Sequence, residues 1–189
     1  MEEDRIIWKP SNNGNFTTKS AYIALSNVHP AIRWYGMVWN KMVIPRHSFT
    51  AWQLLSGCLP TQDNLMKRRI LHTSSCILCN NGRENSKHLF FDCVYSAEVW
   101  NHIKGLLRIG VDTRNCNRLW MSIIRICRRK TVAASIYSTM ICATVNYIWS
   151  ERNARRFQDK SQSAVNLKLR LVKERRYIQL QVKEIPNTQ

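Results

Sequence analysis

Residues 76–93 read CILCNNGRENSKHLFFDC, and the fold turns on how this stretch is read. Three of the chain's seven cysteines and one of its five histidines fall within these eighteen residues, spaced C-x2-C-x8-H-x4-C. Zn²⁺ takes four nitrogen or sulfur donors at tetrahedral positions, and a C-x2-C pair offers two thiolates from one tight turn. Asn80, Asn81 and Gly82 follow Cys79 directly and make a reversal, with Gly82 free to take positive φ. The chain then returns His88 and Cys93 toward the pair, and Leu89, Phe90 and Phe91 between them are available to a core. Four filled positions leave none open for water. Cys76, Cys79, His88 and Cys93 therefore read as a closed, structural Zn²⁺ site and not a hydrolytic one. His72 and Cys58 stand close enough in sequence to be rival donors.

The order Cys-Cys-His-Cys resembles a retroviral zinc knuckle, but the spacer of eight residues before the histidine is longer than the knuckle's. The deaminase order, H-x-E followed by P-C-x-x-C, is absent. A bound structural zinc contributes on the order of 10–16 kcal/mol of folding free energy, so its removal is expected to unfold the region.

Charge is the second signal. Across 189 residues, 29 Lys and Arg oppose 12 Asp and Glu, a formal net of +17. Residues 1–112 hold 13 basic and 8 acidic side chains, whereas residues 113–189 hold 16 and 4. Such an excess repels itself unless a polyanion offsets it, which makes nucleic acid the leading partner and an anionic membrane the second. The clusters that would meet phosphates are Arg125, Arg128, Arg129 and Lys130, then Arg152, Arg155 and Arg156, then Lys168, Arg170, Lys173, Arg175 and Arg176. No stacking or recognition-helix signature accompanies them, so RNA or DNA bound with low sequence specificity is expected. No small-molecule substrate is expected.

The opening MEEDRIIWKP is acidic and lacks an apolar centre, so it does not read as a secretory signal, and an intracellular location, nuclear or cytosolic, is expected. Seven cysteines, an odd number, fit poorly with a closed disulfide framework. Residues 131–150 carry no charge across twenty positions, the length of a membrane span. Seven Ser, Thr and Asn residues interrupt that run, and Val132, Ile136, Met140 and Tyr147 recur at helical spacing, so it reads as a buried helix.

Periodicity elsewhere predicts a mainly α fold with a small N-terminal β-hairpin. RIIWKP and NFTT flank the turn cluster SNNG, and Ser20 then opens a helix as its N-cap. Further helices follow over residues 34–44, on a face of Phe49, Trp52 and Leu55, and after an N-cap at Thr61 with Leu65 and Met66 turned inward. Val99, Ile103 and Leu106 mark another, one covers 117–129, and the last runs from about Ser163 to Val182, where a mainly apolar row of Val165, Leu169, Val172, Arg176 and Leu180 alternates with Lys168, Arg170, Lys173 and Arg175. Trp34, Trp39, Trp52, Trp100 and Trp149 lie on apolar stripes and read as core residues more than base-stacking platforms. Residues 8–112 read as a zinc-stabilised helical domain and 113–189 as a basic helical extension.

Several stretches together resemble one family: the zinc-binding domain that follows the reverse transcriptase in plant LINE-type, non-LTR retrotransposons. They are WKPSNNGNFTTKSAY (8–22), VWN (38–40), Pro45 with Phe49 and Trp52, LPTQDNL (59–65), CILC with Glu84, HLFFDC (88–93) and VW (99–100). IWSERNARRF (148–157) is similar to sequence found downstream of that domain. Arg46 and Arg69 depart from the family's usual residues without touching a proposed ligand. The resemblance implies Cys76, Cys79, His88 and Cys93 as zinc ligands and a role beside a polymerase, handling RNA template or target DNA. It does not imply polymerisation. Tyr-x-Asp-Asp is missing, and the five aspartates and seven glutamates show no ribonuclease-like grouping. Cys58, Cys116, Cys127 and Cys142 are isolated thiols and read as buried, so a non-catalytic protein is expected. The alternative is a zinc-ordered structural or protein-interaction module whose charge is merely solvated.

Overall fold

A computed structural model describes residues 6–26, 32–110, 116–129 and 131–184. Residues up to Ile32 and residues from Arg33 onward form two separate compact units.

In the first unit the predicted hairpin does not form: the described residues contain no strand. The polar turn consumes the hydrogen bonds a ladder would need. Trp8 N–H donates to the Gly14 carbonyl (2.8 Å), while Ser11 and Gly14 N–H close tighter turns onto Trp8 and Ser11. Gly14 takes φ +71°, and Trp8 meets Phe16 edge to face at 5.2 Å. A lone two-stranded pair is marginal in water, so a turn that satisfies its own backbone wins. Helix α1, Thr18–Leu25, starts one turn earlier than expected. Thr17 is its N-cap, accepting from Ser20 N–H at 3.0 Å, and Ser20 returns the favour by accepting from Thr17 N–H at 3.1 Å. Ser20 is thus the third helical residue of a capping box and not the cap.

The second unit holds α2 (Tyr35–Val38), α3 (Pro45–Leu55), α4 (Gln62–Lys67), a π-helical turn (His88–Asp92), α5 (Val94–Leu107), α6 (Cys116–Cys127), α7 (Val132–Phe157) and α8 (Ala164–Glu184). Helix α7 is its axis, packing against α2, α3, α5, α6 and α8. By length and composition α7 could cross a membrane, yet 67% of its apolar window is buried against the rest of the protein. Its hydroxyls do not spoil that burial. Ser138, Thr139 and Thr144 each donate to the carbonyl four residues back (2.7–2.9 Å), and Asn146 donates to Thr50 of α3 at 2.9 Å.

Two helices bury a different face from the one expected. In α3 the core side is His47, Thr50, Ala51 and Leu54, whereas Phe49 stays 53% exposed and Trp52 and Leu55 are half-buried. Packing against α7, not the largest rings, sets the rotation. In α8 the buried stripe is Ala164, Leu167, Leu171 and Ile178, and Val165, Leu169 and Leu180 face outward. The segment alternates apolar and charged residues, so it presents two candidate stripes at helical spacing, and contact with α5 and α7 selects one. Of the tryptophans, Trp100 is buried, Trp34, Trp52 and Trp149 are partly buried, and Trp39 remains 45% exposed.

Candidate metal centre

Residues 76–82 build the first half of the site. Asn80 N–H donates to the Cys76 carbonyl at 2.8 Å, and Cys76 N–H donates to the Gly82 carbonyl at 3.0 Å, which folds the C-x2-C segment into a knuckle. Asn80 and Gly82 both take left-handed backbone, at φ +54° and +77°. A Cβ on residue 82 would sit 3.4 Å from His88 Cε1, so the bare glycine forms one wall of the histidine's slot.

HLFFD supplies the second half as a π-helical turn. Cys93 N–H donates to the His88 carbonyl at 2.8 Å, an i to i+5 closure that brings residues 88 and 93 to one side. Leu89, Phe90 and Phe91 point the other way and are buried, with Phe91 stacked on Trp100 at 5.7 Å. The rings anchor the turn, and the turn aims the donors.

The donor atoms of Cys76, Cys79, His88 and Cys93 all lie within 4.8 Å of one another. Cys76 Sγ and Cys93 Sγ are 3.9 Å apart, and Cys79 Sγ is 3.3 Å from His88 Nε2. Zinc bond lengths of about 2.3 Å to sulfur and 2.0–2.1 Å to nitrogen give tetrahedral edges of roughly 3.8 and 3.5 Å. The residues present fit zinc. Cys76 and Cys93 are fully buried, and the proton in the hydrogen bond between them lowers the Cys93 thiol and, together with burial, raises that of Cys76. A divalent cation would replace that proton and let both ionise. The rival donors stay outside the group, for Cys58 is exposed, donating to the Ser56 carbonyl, and His72 is exposed.

The spacer between Cys79 and His88 carries a residue whose part the sequence reading did not identify. Glu84 is fully buried, and its carboxylate receives Arg152 of α7 through Nε at 3.1 Å and Nη2 at 2.7 Å. The same carboxylate accepts from Gln62 N–H at 2.9 Å, and the Glu84 carbonyl accepts from Asp63 N–H at 3.0 Å. Glu84 thereby caps α4, although Thr61 occupies the N-cap position. Arg155, one helical turn on, pairs with Glu151 at 2.7 Å and donates to the Leu78 carbonyl inside the knuckle at 3.1 Å. Its ring neighbour is Tyr95, 4.9 Å away. The signal was a lone glutamate in an otherwise uncharged-to-basic spacer, facing an Arg-x-x-Arg pair on a long helix.

These contacts remove Arg152, 3% exposed, from the residues expected to meet phosphates, and turn most of Arg155 inward. Lys168 bridges to Glu98 at 2.6 Å, Arg170 lies over the Tyr147 ring at 4.6 Å, and Arg175 is half-buried. Arg125, Arg128, Arg129, Arg156, Arg170, Lys173 and Arg176 are exposed, and Lys130 lies outside the described residues. Of the four isolated thiols expected to be buried, Cys58 is exposed and the Cys116 side chain lies outside what is described, whereas Cys127 and Cys142 are buried, which pushes them up to about 11 and about 12. At neutral pH neither is a nucleophile.

Residues 16–100 match the family described as zinc-binding in reverse transcriptase, a span that holds all four donors and Glu84. An Arabidopsis thaliana protein, named as an inferred ribonuclease H protein, is 26% identical over 102 residues. That alignment covers 51% of this chain but only 16% of the relative's length. No solved structure gives a significant match.

Proposed function

We propose that this chain, whose residues 16–100 are a zinc-binding domain of the reverse-transcriptase type, is a non-catalytic accessory protein derived from a plant retrotransposon polyprotein that binds RNA or DNA through its basic helices. One observation supports this above the others: a net charge of +17, with Arg125, Arg128, Arg129, Arg156, Arg170, Lys173 and Arg176 exposed along α6, the loop after it, the end of α7 and α8. Zinc holds the scaffold, and phosphate neutralisation does the binding. No small-molecule substrate enters this reading, and the site of action is intracellular, where a polyanion of this kind is met.

Fluorescence anisotropy with single-stranded RNA, single-stranded DNA and duplex DNA tests it. Affinity is expected to fall roughly 10³–10⁵-fold between 50 and 200 mM salt if six to ten phosphates are engaged. Absence of binding to all three at 50 mM salt would overturn it. A second reading, a protein-interaction module, is favoured by Val165, Leu169 and Leu180, which leave an apolar stripe of α8 more than half exposed. It predicts that charge-removing variants of the seven exposed basic residues keep every partner while L169D loses one.

A further inference from the structure

Between the end of α5, the first turns of α7 and the outer half of α8 lies a cavity of about 230 Å³. That is far more than the roughly 10–15 Å³ one water needs. Its polar lining is Arg108, Tyr137, Arg175 and Gln179, and no carboxylate is among its described lining residues. Among the described residues nothing hydrogen-bonds Arg175 Nε, which is sealed from solvent. The contrast with the other inward arginines is informative, since Arg152 meets Glu84 and Arg155 meets Glu151. A buried donor left unmade is costly, and a guanidinium fork is shaped for two oxygens of one anion. Arg108 reaches the same cavity from the C-cap of α5, where it holds φ +52° and where the helix's negative end retains a cation. Ala133 places the positive end of the 26-residue α7 on the cavity wall. The neighbouring cavity beside Lys41 contains Glu174 and lacks this single-signed lining.

We propose that the Arg108–Arg175 cavity is a phosphate pocket that seats one phosphodiester of the bound nucleic acid. It rests on the nucleic-acid reading above and deepens it. Arg175 is its inner arm and Arg108 its outer one, with the Tyr137 hydroxyl and Gln179 amide as neutral donors.

The test uses the full zinc-loaded chain labelled with ¹⁵N, following the arginine Nε–Hε resonances, with that of Arg175 assigned through R175K. Inorganic phosphate is titrated against chloride at constant ionic strength. A saturable shift at Arg175, about tenfold weaker in R108Q, is expected. R108Q alters an exposed side chain and should leave the circular dichroism spectrum intact. In parallel, binding of a single-stranded oligonucleotide is measured against salt for R108Q, R175Q and the double variant. Because both arms hold one phosphate, the double variant should lower the slope of log K against log salt by about one in total. No phosphate response at Arg175 overturns the pocket whatever the oligonucleotide does. A phosphate response with an unchanged oligonucleotide slope overturns the phosphodiester assignment alone. Loss of all oligonucleotide binding in the unaltered chain, with the phosphate response intact, overturns the nucleic-acid reading and that assignment but leaves a small-anion pocket.

Discussion

A methyl group added at residue 82 would meet the His88 ring at 3.4 Å and would also sit on a backbone at φ +77°. Gly57 separates the two effects, for it has φ +68° and nothing within 4 Å of its missing Cβ. Both Gly→Ala changes are expected to cost about 1–2 kcal/mol from the left-handed backbone. Only Gly82→Ala should also weaken zinc binding, measured by chelator competition; equal affinities in the two variants would show that His88 is not held by that wall. Glu84 and Arg152 carry the second residue-scale prediction. Arg152→Met leaves a buried carboxylate without its cation and is expected to cost about 3–5 kcal/mol in urea unfolding at saturating zinc. The four donors were legible because their spacing is local, within eighteen residues. The ion pair was not, because its halves are 68 residues apart and no periodicity links them.

At the scale of elements, helices were legible where apolar residues recur every three or four positions, and their rotation was not. In α8, Leu169 and Leu171 differ by two positions and exchange roles between stripe and solvent. Leu171→Ala is expected to cost about 2–5 kcal/mol, the usual penalty for emptying a buried leucine site. Leu169→Ala should stay within about 0.5 kcal/mol, as surface changes do. Denaturation midpoints that reverse this order would place the outer stripe in the core. The N-terminal hairpin failed for a different reason. Its strand-like residues flank a turn rich in Ser, Asn and Gly, and that turn closes its own hydrogen bonds before any ladder can extend. The π-helical turn left no signature at all, since HLFFD reads as an ordinary short helix or strand.

For the whole molecule, zinc and the long helix are mechanically one system. Because the spacer of the metal site grips α7 through Glu84 and Arg155 grips the knuckle, chelation should unfold α7 together with the knuckle. Far-UV circular dichroism during chelator titration is expected to lose helix well beyond residues 62–107 in one transition; retention of the α7 and α8 signal would show that the two are independent. Acid acts through a second group. His47 is fully buried, has no partner for either ring nitrogen among the described residues and packs edge-on to Tyr147 at 5.4 Å, and burial holds its pKa below the ordinary value. Glu174 opposes that shift and Arg46 adds to it. The unfolded chain then binds a proton that the folded one refuses, so stability should fall as pH drops through about 6.5. Urea midpoints at pH 7.5 and 5.5 should diverge less in His47→Leu than in the unaltered chain, the ligands' own protonation being common to both. The same buried carboxylate also decides where the chain can be shortened. A fragment ending with the matched family segment at residue 100 would expose Glu84 to water and strip α4 of its cationic counterweight. The smallest piece that stands alone must therefore reach past residue 155, far beyond Cys93, the last of the four candidate donors.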